Sequence, residues 1–459
     1  MKVPQMPPSL NDYMASLDKL KQAEYLTRLF HQQPLKPVDD KGRYAHWDKV
    51  QYRPYPDYFD SPLMYWHWLK LARSANKKNL PFKDKLGNTF HYVEFDQLHR
   101  LKDWILEHAA GALSAPEKIT DKPTKESYLI GSMIEEAINS SQMEGASTTR
   151  RVAKDMLLSE REPKDISEQM IVNNYRAMLF IKDLLKDNTP LTKEIIFELH
   201  KVVTEKTLSG EDKGKEGQFR TAKDPIIVCD PNTDNILHTP PNAAELPDRL
   251  QLICDFVNED PEEANNYLPP VIRAIIVHFM MGYDHPFVEG NGRTARALFY
   301  WIIMKSNYWL MEFISISSVI KRSQRDYLAA YVHSETDEND LTYFIVHQLE
   351  VIKKAIEEFH RYVADRVERD NNVLELFKHS EIKKKLNFRQ VGVIRNALKN
   401  PGNVYTIQSH KNSHNCSTEI ARRDLLALSD EYGLINKFKQ GRTYVFVAPN
   451  DLGERIKTK

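Results

Sequence analysis

The residues with the clearest chemical potential lie together, in the twelve-residue run His285-Pro286-Phe287-Val288-Glu289-Gly290-Asn291-Gly292-Arg293-Thr294-Ala295-Arg296. Pro286 keeps the residue before it away from helical angles, so a preceding helix stops near His285 and presents that imidazole beside a loop. Imidazole is the side chain suited to general-base work near neutral pH. Gly290-Asn291-Gly292 is a tight turn that lets a ligand approach the backbone. A new helix starts there, and the amides of its first turn have no partners within the helix. With the helix dipole they form an anion site, for which phosphate is the usual guest. Arg293 and Arg296 are three apart and project from the same helix face as guanidinium forks for phosphate oxygens. Glu289 is a carboxylate able to hold Mg2+ against phosphate. Phosphoryl or nucleotidyl transfer is the chemistry these groups share.

Taken singly, each feature has an ordinary explanation. A histidine at a helix end is commonly a cap, a Gly-Asn-Gly is commonly a turn, and two arginines are commonly a solvated face. Only their coincidence in one segment carries weight. No Gly-Lys-Ser/Thr follows the glycines, so this is not a Walker A loop. The segment follows a helix rather than a strand, which also excludes a dinucleotide-binding fingerprint. Pro286 spoils a shared helical face for His285 and Glu289, so a zinc-binding helix is disfavoured.

The elements that must position this segment are mostly helices. Pro269-Pro270 opens the helix before it, with Ile272, Ile275, Ile276 and Phe279 on one face. The helix after it carries Ala295, Leu298, Phe299 and Ile302 on one side. Upstream, Ile130, Ile134 and Ile138 form a stripe, and 168–185 and 191–203 are amphipathic in the same way. Residues 216–239 differ. Two short apolar runs, 226–229 and 236–237, flank Asp-Pro-Asn-Thr-Asp, a turn composition that predicts a β-hairpin. Residues 1–60 are rich in Pro and Tyr and read as an irregular, partly packed arm, with helical periodicity beginning near Leu63 and returning at 93–113. Near the other end, 391–398 and 417–428 are helix candidates, Ser417 being a good N-cap. Leu434–Phe438 and Thr443–Val447 read as strands, so a winged helix-turn-helix is expected over 376–459. The expected organisation is an N-terminal region 1–120, a helical core 121–365 and this C-terminal domain.

Lys and Arg number 64, as do Asp and Glu, so no global charge steers the chain to nucleic acid or to an acidic membrane. Residues 381–459 are the exception, with 15 Lys/Arg against 7 Asp/Glu. The three cysteines, Cys229, Cys254 and Cys416, are far apart and odd in number, which argues against a disulfide framework or a structural zinc site. No apolar run reaches the roughly 18 residues a membrane span needs. A cytoplasmic protein is expected.

The twelve residues match the Fic family motif H-P-F-x-[D/E]-G-N-G-R-x-x-R at every specified position, and the resemblance extends over about 127–350. It implies a mainly α fold: a Fic helical core with a small β-hairpin flap, plus the C-terminal winged helix-turn-helix domain. It implies that His285 deprotonates a Ser, Thr or Tyr hydroxyl of a target protein, whose oxygen attacks the α-phosphate of ATP while pyrophosphate leaves. Glu289 would hold Mg2+. Gly290, Asn291 and Gly292 would line the anion hole, with Asn291 near the α-phosphate and with Thr294 and Ala295 in the same ATP-binding stretch. Arg293 and Arg296 would grip the outer phosphates. The hairpin 216–239 would be the flap, with Ile226, Ile227 and Val228 as the edge to which a target segment adds as a strand; a hairpin carries no motif of its own, so a plain surface hairpin is the lesser alternative. The family often shows a Tyr pair at the adenine; here Tyr327 is followed by Leu328.

A second stretch, Ser140-Ser141-Gln142-Met143-Glu144-Gly145, fits the family's inhibitory pattern [S/T]-x-x-x-E-[G/N] on a helix expected over about 127–146. By that resemblance Glu144 pairs with Arg296 and takes the place of the γ-phosphate, while Ser140 and Gly145 fix the helix end. Three functions follow: protein adenylyltransferase, a hydrolase that removes AMP at the same site, or a DNA-binding regulator with a Fic sensor. The winged helix suits DNA or protein about equally. A homodimer is a further possibility the resemblance leaves open.

Overall fold

In a computed structural model of the chain, residues 3–31, 34–110, 122–159, 161–186, 189–230, 233–260, 267–440 and 443–458 are described. They divide into two compact units, residues 1–357 and 358–459. No described helix is long and apolar enough to cross a membrane.

The N-terminal arm is more regular than its Pro/Tyr composition predicts. It carries α1 (Leu10–Ala15), α2 (Lys19–His31) and α3 (Trp47–Val50) before α4 (Pro62–Ala75). Aromatic packing supplies the order that periodicity does not show: Tyr25, Trp47, Phe59, Tyr65, Trp66 and Trp68 are buried in one cluster. Ser61 caps α4 by accepting the Met64 amide, with Pro62 in the first turn. The hairpin β1 (Lys77–Lys83) and β2 (Thr89–Val93) then precedes α5 (Asp96–Ala109), and the sequence reading had missed it. This region belongs to the same unit as the helical core rather than standing apart.

The core runs through α6 (Lys122–Met143), α7 (Arg150–Ser159), α8 (Ile166–Lys186) and α9 (Lys193–Thr204). The strands β3 (Val228–Cys229) and β4 (Ile236–His238) pair antiparallel, followed by α10 (Leu246–Asn258), α11 (Pro270–Asp284) and α12 (Asn291–Lys305). Next come α13 (Ile316–Arg322), α14 (Gln324–Thr336) and α15 (Thr342–His379). α11 is the central helix. It is apolar almost all round and buried from Val271 to Met281, as expected of a helix surrounded by others. α12 packs along α11, and α8 packs against α6, α9 and α12. The catalytic candidates therefore sit where two closely packed helices, α11 and α12, meet.

Residues 358–459 have their own core, with Phe377, Ile394, Leu425, Leu428, Leu434 and Phe446 buried together. The order is α16 (Glu381–Lys385), α17 (Phe388–Lys399), β5 (Val404–Thr406), α18 (Ile407–His414), α19 (Thr418–Leu426), β6 (Asn436–Gln440), β7 (Thr443–Val447) and α20 (Leu452–Lys457). β7 lies between β5 and β6, antiparallel to both. Ser417 caps α19 through the Ile420 amide. The three-residue β5 and the polar α18 had no legible pattern in the sequence.

Candidate active site

α11 ends at Asp284, and His285 takes left-handed angles, φ 45° and ψ 59°. A non-glycine residue there is strained, so the surroundings must hold it. Arg220 does so from a loop. Its amide donates to the Pro286 carbonyl (2.9 Å), Nε to the His285 carbonyl (2.7 Å), and Nη2 to the carbonyls of Pro241 (2.6 Å) and Asp284 (3.3 Å). His200 of α9 holds the other end of the loop. Its Nδ1 accepts the Gly217 amide at 2.9 Å, so Nε2–H donates to the Glu289 carbonyl at 2.8 Å, and its ring stacks on Phe287 at 3.7 Å. Burial pushes the His200 imidazole down to about 4, which keeps it in this neutral form. Neither residue was singled out from sequence: a lone Arg in a loop and a lone His on an amphipathic helix carry no pattern.

His285 Nδ1 lies 3.1 Å from the Gly282 carbonyl and donates to it, which leaves the Nε2 lone pair free. Burial, opposed by that hydrogen bond, brings its pKa down to about 4. The imidazole is thus a neutral base at physiological pH.

Gly290 caps α12 with φ 82°, and a Cβ there would lie 2.6 Å from Thr204 Cγ2. Gly290→Ala is expected to cost about 1–3 kcal/mol through left-handed strain and this clash, read as a lowered urea midpoint. An unchanged midpoint would show that the loop relaxes freely. Asn291 does not present its amide to the cavity. Its Oδ1 accepts the Phe287 amide (2.9 Å) and its Nδ2 donates to the Phe287 carbonyl (2.8 Å), so the side chain staples the loop. Thr294 likewise turns inward, donating to the Gly290 carbonyl at 2.9 Å.

The two arginines, expected to point the same way, separate. Arg293 is fully buried, donating to the Val203 carbonyl (2.9 Å) and to Glu289 Oε1 (3.1 Å). Its Nε has no hydrogen-bond partner. Arg296 reaches α6: Nε donates to Ser140 Oγ (2.8 Å), and Nη2 to the Ser140 carbonyl (3.0 Å) and to Glu144 Oε1 (2.8 Å). Burial opposes the charge of Glu144, but Arg296 outweighs it and holds the carboxyl below the usual range. Ser140 thus serves Arg296 rather than the helix end, while Gly145, at φ 97°, turns the chain after α6. A Cβ on Gly292 would lie 2.2 Å from Glu144 Oε1, so this carboxylate rests against the first turn of α12, where an anion is favoured.

A cavity of about 280 Å3 joins these groups. Glu144, His285, Gly292, Ala295, Arg296 and Tyr327 line it. Glu289, Gly290, Asn291, Arg293 and Thr294 are not among its lining residues. The second aromatic at the Tyr327 end is Tyr331, one turn along α14, which also lines the cavity beside Leu328. A pair at adjacent positions is what the family resemblance implies; here the second tyrosine stands four positions on. Val228, Cys229, Leu237 and His238 of the hairpin also line the cavity. Of the three edge residues expected there, only Val228 is in a strand; Ile226 and Ile227 precede it, and Ile227 is exposed.

Residues 190–303, which span this loop and both flanking helices, match the family profile described as Fic/DOC family. The protein adenylyltransferase Fic of Drosophila mojavensis is 28% identical over 243 residues, 52% of this chain and 44% of that one. Its counterpart in Drosophila willistoni is 31% identical over 132 residues, 29% of this chain and 23% of that one. The chain thus spans less than half the length of these relatives. Among solved structures, a Fic family protein from Desulfovibrio desulfuricans G20 superposes with a TM-score of 0.51 over 78% of this chain and 98% of that one. At 15% identity this is a likeness of fold.

Proposed function

From a chain that carries a Fic domain at residues 190–303, we infer an enzyme that moves AMP from ATP onto a hydroxyl side chain of a target protein. The observation that carries this reading is the placement of a neutral imidazole, the start of a helix and a buried arginine around one cavity. His285 Nε2 takes the proton of the target hydroxyl. The oxygen forms a bond to the α-phosphorus, the bond from that phosphorus to the bridging oxygen breaks, and pyrophosphate carries away the electron pair. The first-turn amides of α12 and Arg296 stabilise phosphate charge, the usual source of rate in such transfers. Glu289 fits Mg2+: its carboxylate is 49% exposed and engages Arg293 through one oxygen. Mg2+ there would neutralise phosphate charge. Tyr327 and Tyr331 offer an aromatic wall for adenine, and the β3 edge offers backbone pairing for an extended target segment.

Glu144 is read as an inhibitor held in place by this site, since its carboxylate occupies the position a terminal phosphate would need beside Arg296. ATP labelled in the α-phosphate tests the whole reading when given to the Glu144→Gly chain with candidate target proteins. Label is expected on protein, and γ-labelled ATP is expected to leave none. Label from the γ-position instead would replace AMP transfer by phosphorylation. Release of AMP from a pre-modified protein, without transfer, would favour the hydrolytic direction.

For residues 376–459 the reading is a winged helix-turn-helix. The order α17, β5, α18, α19, β6, β7 and the sheet order β5-β7-β6 support it. Arg422 and Arg423 are exposed on α19 within a segment of net charge about +8. Gel shifts on duplex DNA at two salt concentrations separate nucleic-acid binding, which weakens steeply with salt, from a protein-docking role.

A further inference from the structure

The hairpin that lines the cavity is too short to hold its own place. β3 has two residues and β4 three, and they form a sheet of two strands. Such a ribbon is marginal in water unless other structure packs against it. Leu237 is buried, but apolar contact is non-directional and fixes no exact position. Among the described residues of the two strands, His238 is the one whose side chain hydrogen-bonds outside the hairpin. Its Nε2 lies 2.7 Å from the Tyr283 carbonyl, near the end of α11, and its Nδ1 lies 2.7 Å from Glu335 Oε2, on α14. A carbonyl only accepts, so Nε2 carries a hydrogen and donates it. The second contact has a hydrogen of its own between ring and carboxylate. Both lengths are at the short end of the usual range. The ring also packs on that of Tyr283, with centroids 4.7 Å apart.

His238 is the cross-strand partner of Val228, the strand residue of the expected docking edge. Opposite residues of an antiparallel pair share a face and move together, so whatever fixes His238 fixes where that edge stands. Its anchor on α11 is two residues before His285. Its anchor on α14, Glu335, lines the same cavity as Tyr327 and Tyr331. We propose that His238 is a positioning residue: by bridging the Tyr283 carbonyl and Glu335, it sets the distance between the β3 edge, where an extended target segment adds, and the imidazole that takes the target's proton. This role rests on the AMP-transfer reading. Among the described residues β3 pairs with β4 alone, so its other edge can take the backbone of an acceptor segment. A hydroxyl on that segment meets His285 only if the edge is held, and a displacement of about 1 Å in such a geometry costs about 10²-fold in rate. The nucleotide's phosphates are assigned to Arg296 and the start of α12, neither of which is hydrogen-bonded to His238. The effect of His238 therefore falls on the acceptor and spares ATP.

The test uses the full chain carrying Glu144→Gly, with ATP labelled in the α-phosphate, and follows the rate of self-modification against ATP concentration. Adding His238→Ala is expected to lower the limiting rate by about 10–10²-fold. The KM for ATP is expected to stay within about twofold, a split that general loss of structure would not give. Circular dichroism is expected to stay native, and amide exchange across 226–240 to speed up. Glu335→Ala is expected to lower the limiting rate as well, and the double variant to lose no more than His238→Ala alone, because the two residues form one contact. An unchanged rate in His238→Ala overturns the proposal. So does a loss of ATP affinity that accounts for the fall in rate, or losses in the two single variants that multiply in the double one. A Glu144→Gly chain that binds ATP and labels no protein overturns the AMP-transfer reading, and this role falls with it.

Discussion

Replacing His285 by alanine in a Glu144→Gly background is expected to lower AMP transfer by about 10²–10⁴-fold, the range of one general base. ATP binding, followed by a fluorescent analogue, is expected to change little, because no phosphate contact in this reading runs through the ring. The acid limb of the kcat/KM profile adds a sharper check. Burial brings the imidazole down to about 4, so the base stays unprotonated above that pH and activity falls only as the pH drops through it. Glu144 acts to raise this pKa, so its removal moves the limb lower still. Stability follows the same sign. Between about 6.5 and 4 the unfolded chain binds a proton at this histidine that the native chain refuses, so unfolding becomes easier as pH falls through that window. Transfer that survives His285→Ala within a few-fold, or a limb near 6.5, would remove His285 as the base.

In the proposed reaction one histidine would serve as base, and the geometry around it favours that role. The strained turn at His285 is held by three hydrogen bonds from Arg220, to the carbonyls of Asp284, His285 and Pro286, and a fourth ties the same guanidinium to the Pro241 carbonyl. His200 and the Asn291 amide fix the loop beyond it. The motif supplies the reactive groups, and residues 65 and 85 positions upstream of His285 supply its rigidity. Pre-positioning of this kind is where much of the rate of a transfer reaction comes from.

That division also marks what the sequence made legible. The twelve-residue motif was readable because its chemically distinctive residue types are adjacent in the sequence. α4, α11 and α12 were readable because their apolar positions repeat at helical spacing. Arg220 and His200 were not, since each acts through backbone carbonyls brought near only by the fold. The arm 1–60 misled for a related reason: its aromatic residues pack into a cluster rather than along a stripe, so α1 to α3 left no period to detect. Arg293 and Arg296 show the limit of spacing arguments. Three residues apart, they share a face at Cβ, yet long side chains diverge, one to Val203 and Glu289 and the other to Ser140 and Glu144.

Glu144→Gly is expected to raise AMP incorporation, including self-modification, by roughly 5–150-fold, the span of a coupling free energy of about 1–3 kcal/mol. The argument is one of competition for Arg296. In the native chain that guanidinium is already engaged by Glu144 Oε1 at 2.8 Å, in a side chain only 2% exposed. A phosphate oxygen can reach it only by displacing the carboxylate, and two anions cannot share the first turn of α12 against Gly292. Removing the carboxylate leaves Arg296 with Ser140 Oγ and the Ser140 carbonyl, so its orientation persists while its charge becomes available. The loss of a partner for a buried cation is expected to lower stability by up to about 3 kcal/mol, and saturating ATP is expected to restore much of it. Glu144→Gln separates charge from shape. A neutral amide of the same size still fills the space but attracts Arg296 weakly, so activation by both variants assigns the block to the ion pair, and activation by Gly alone assigns it to occupancy of the site. Activity unchanged in both, with the fold intact, would show that the contact between α6 and Arg296 holds the helix and does not govern the reaction.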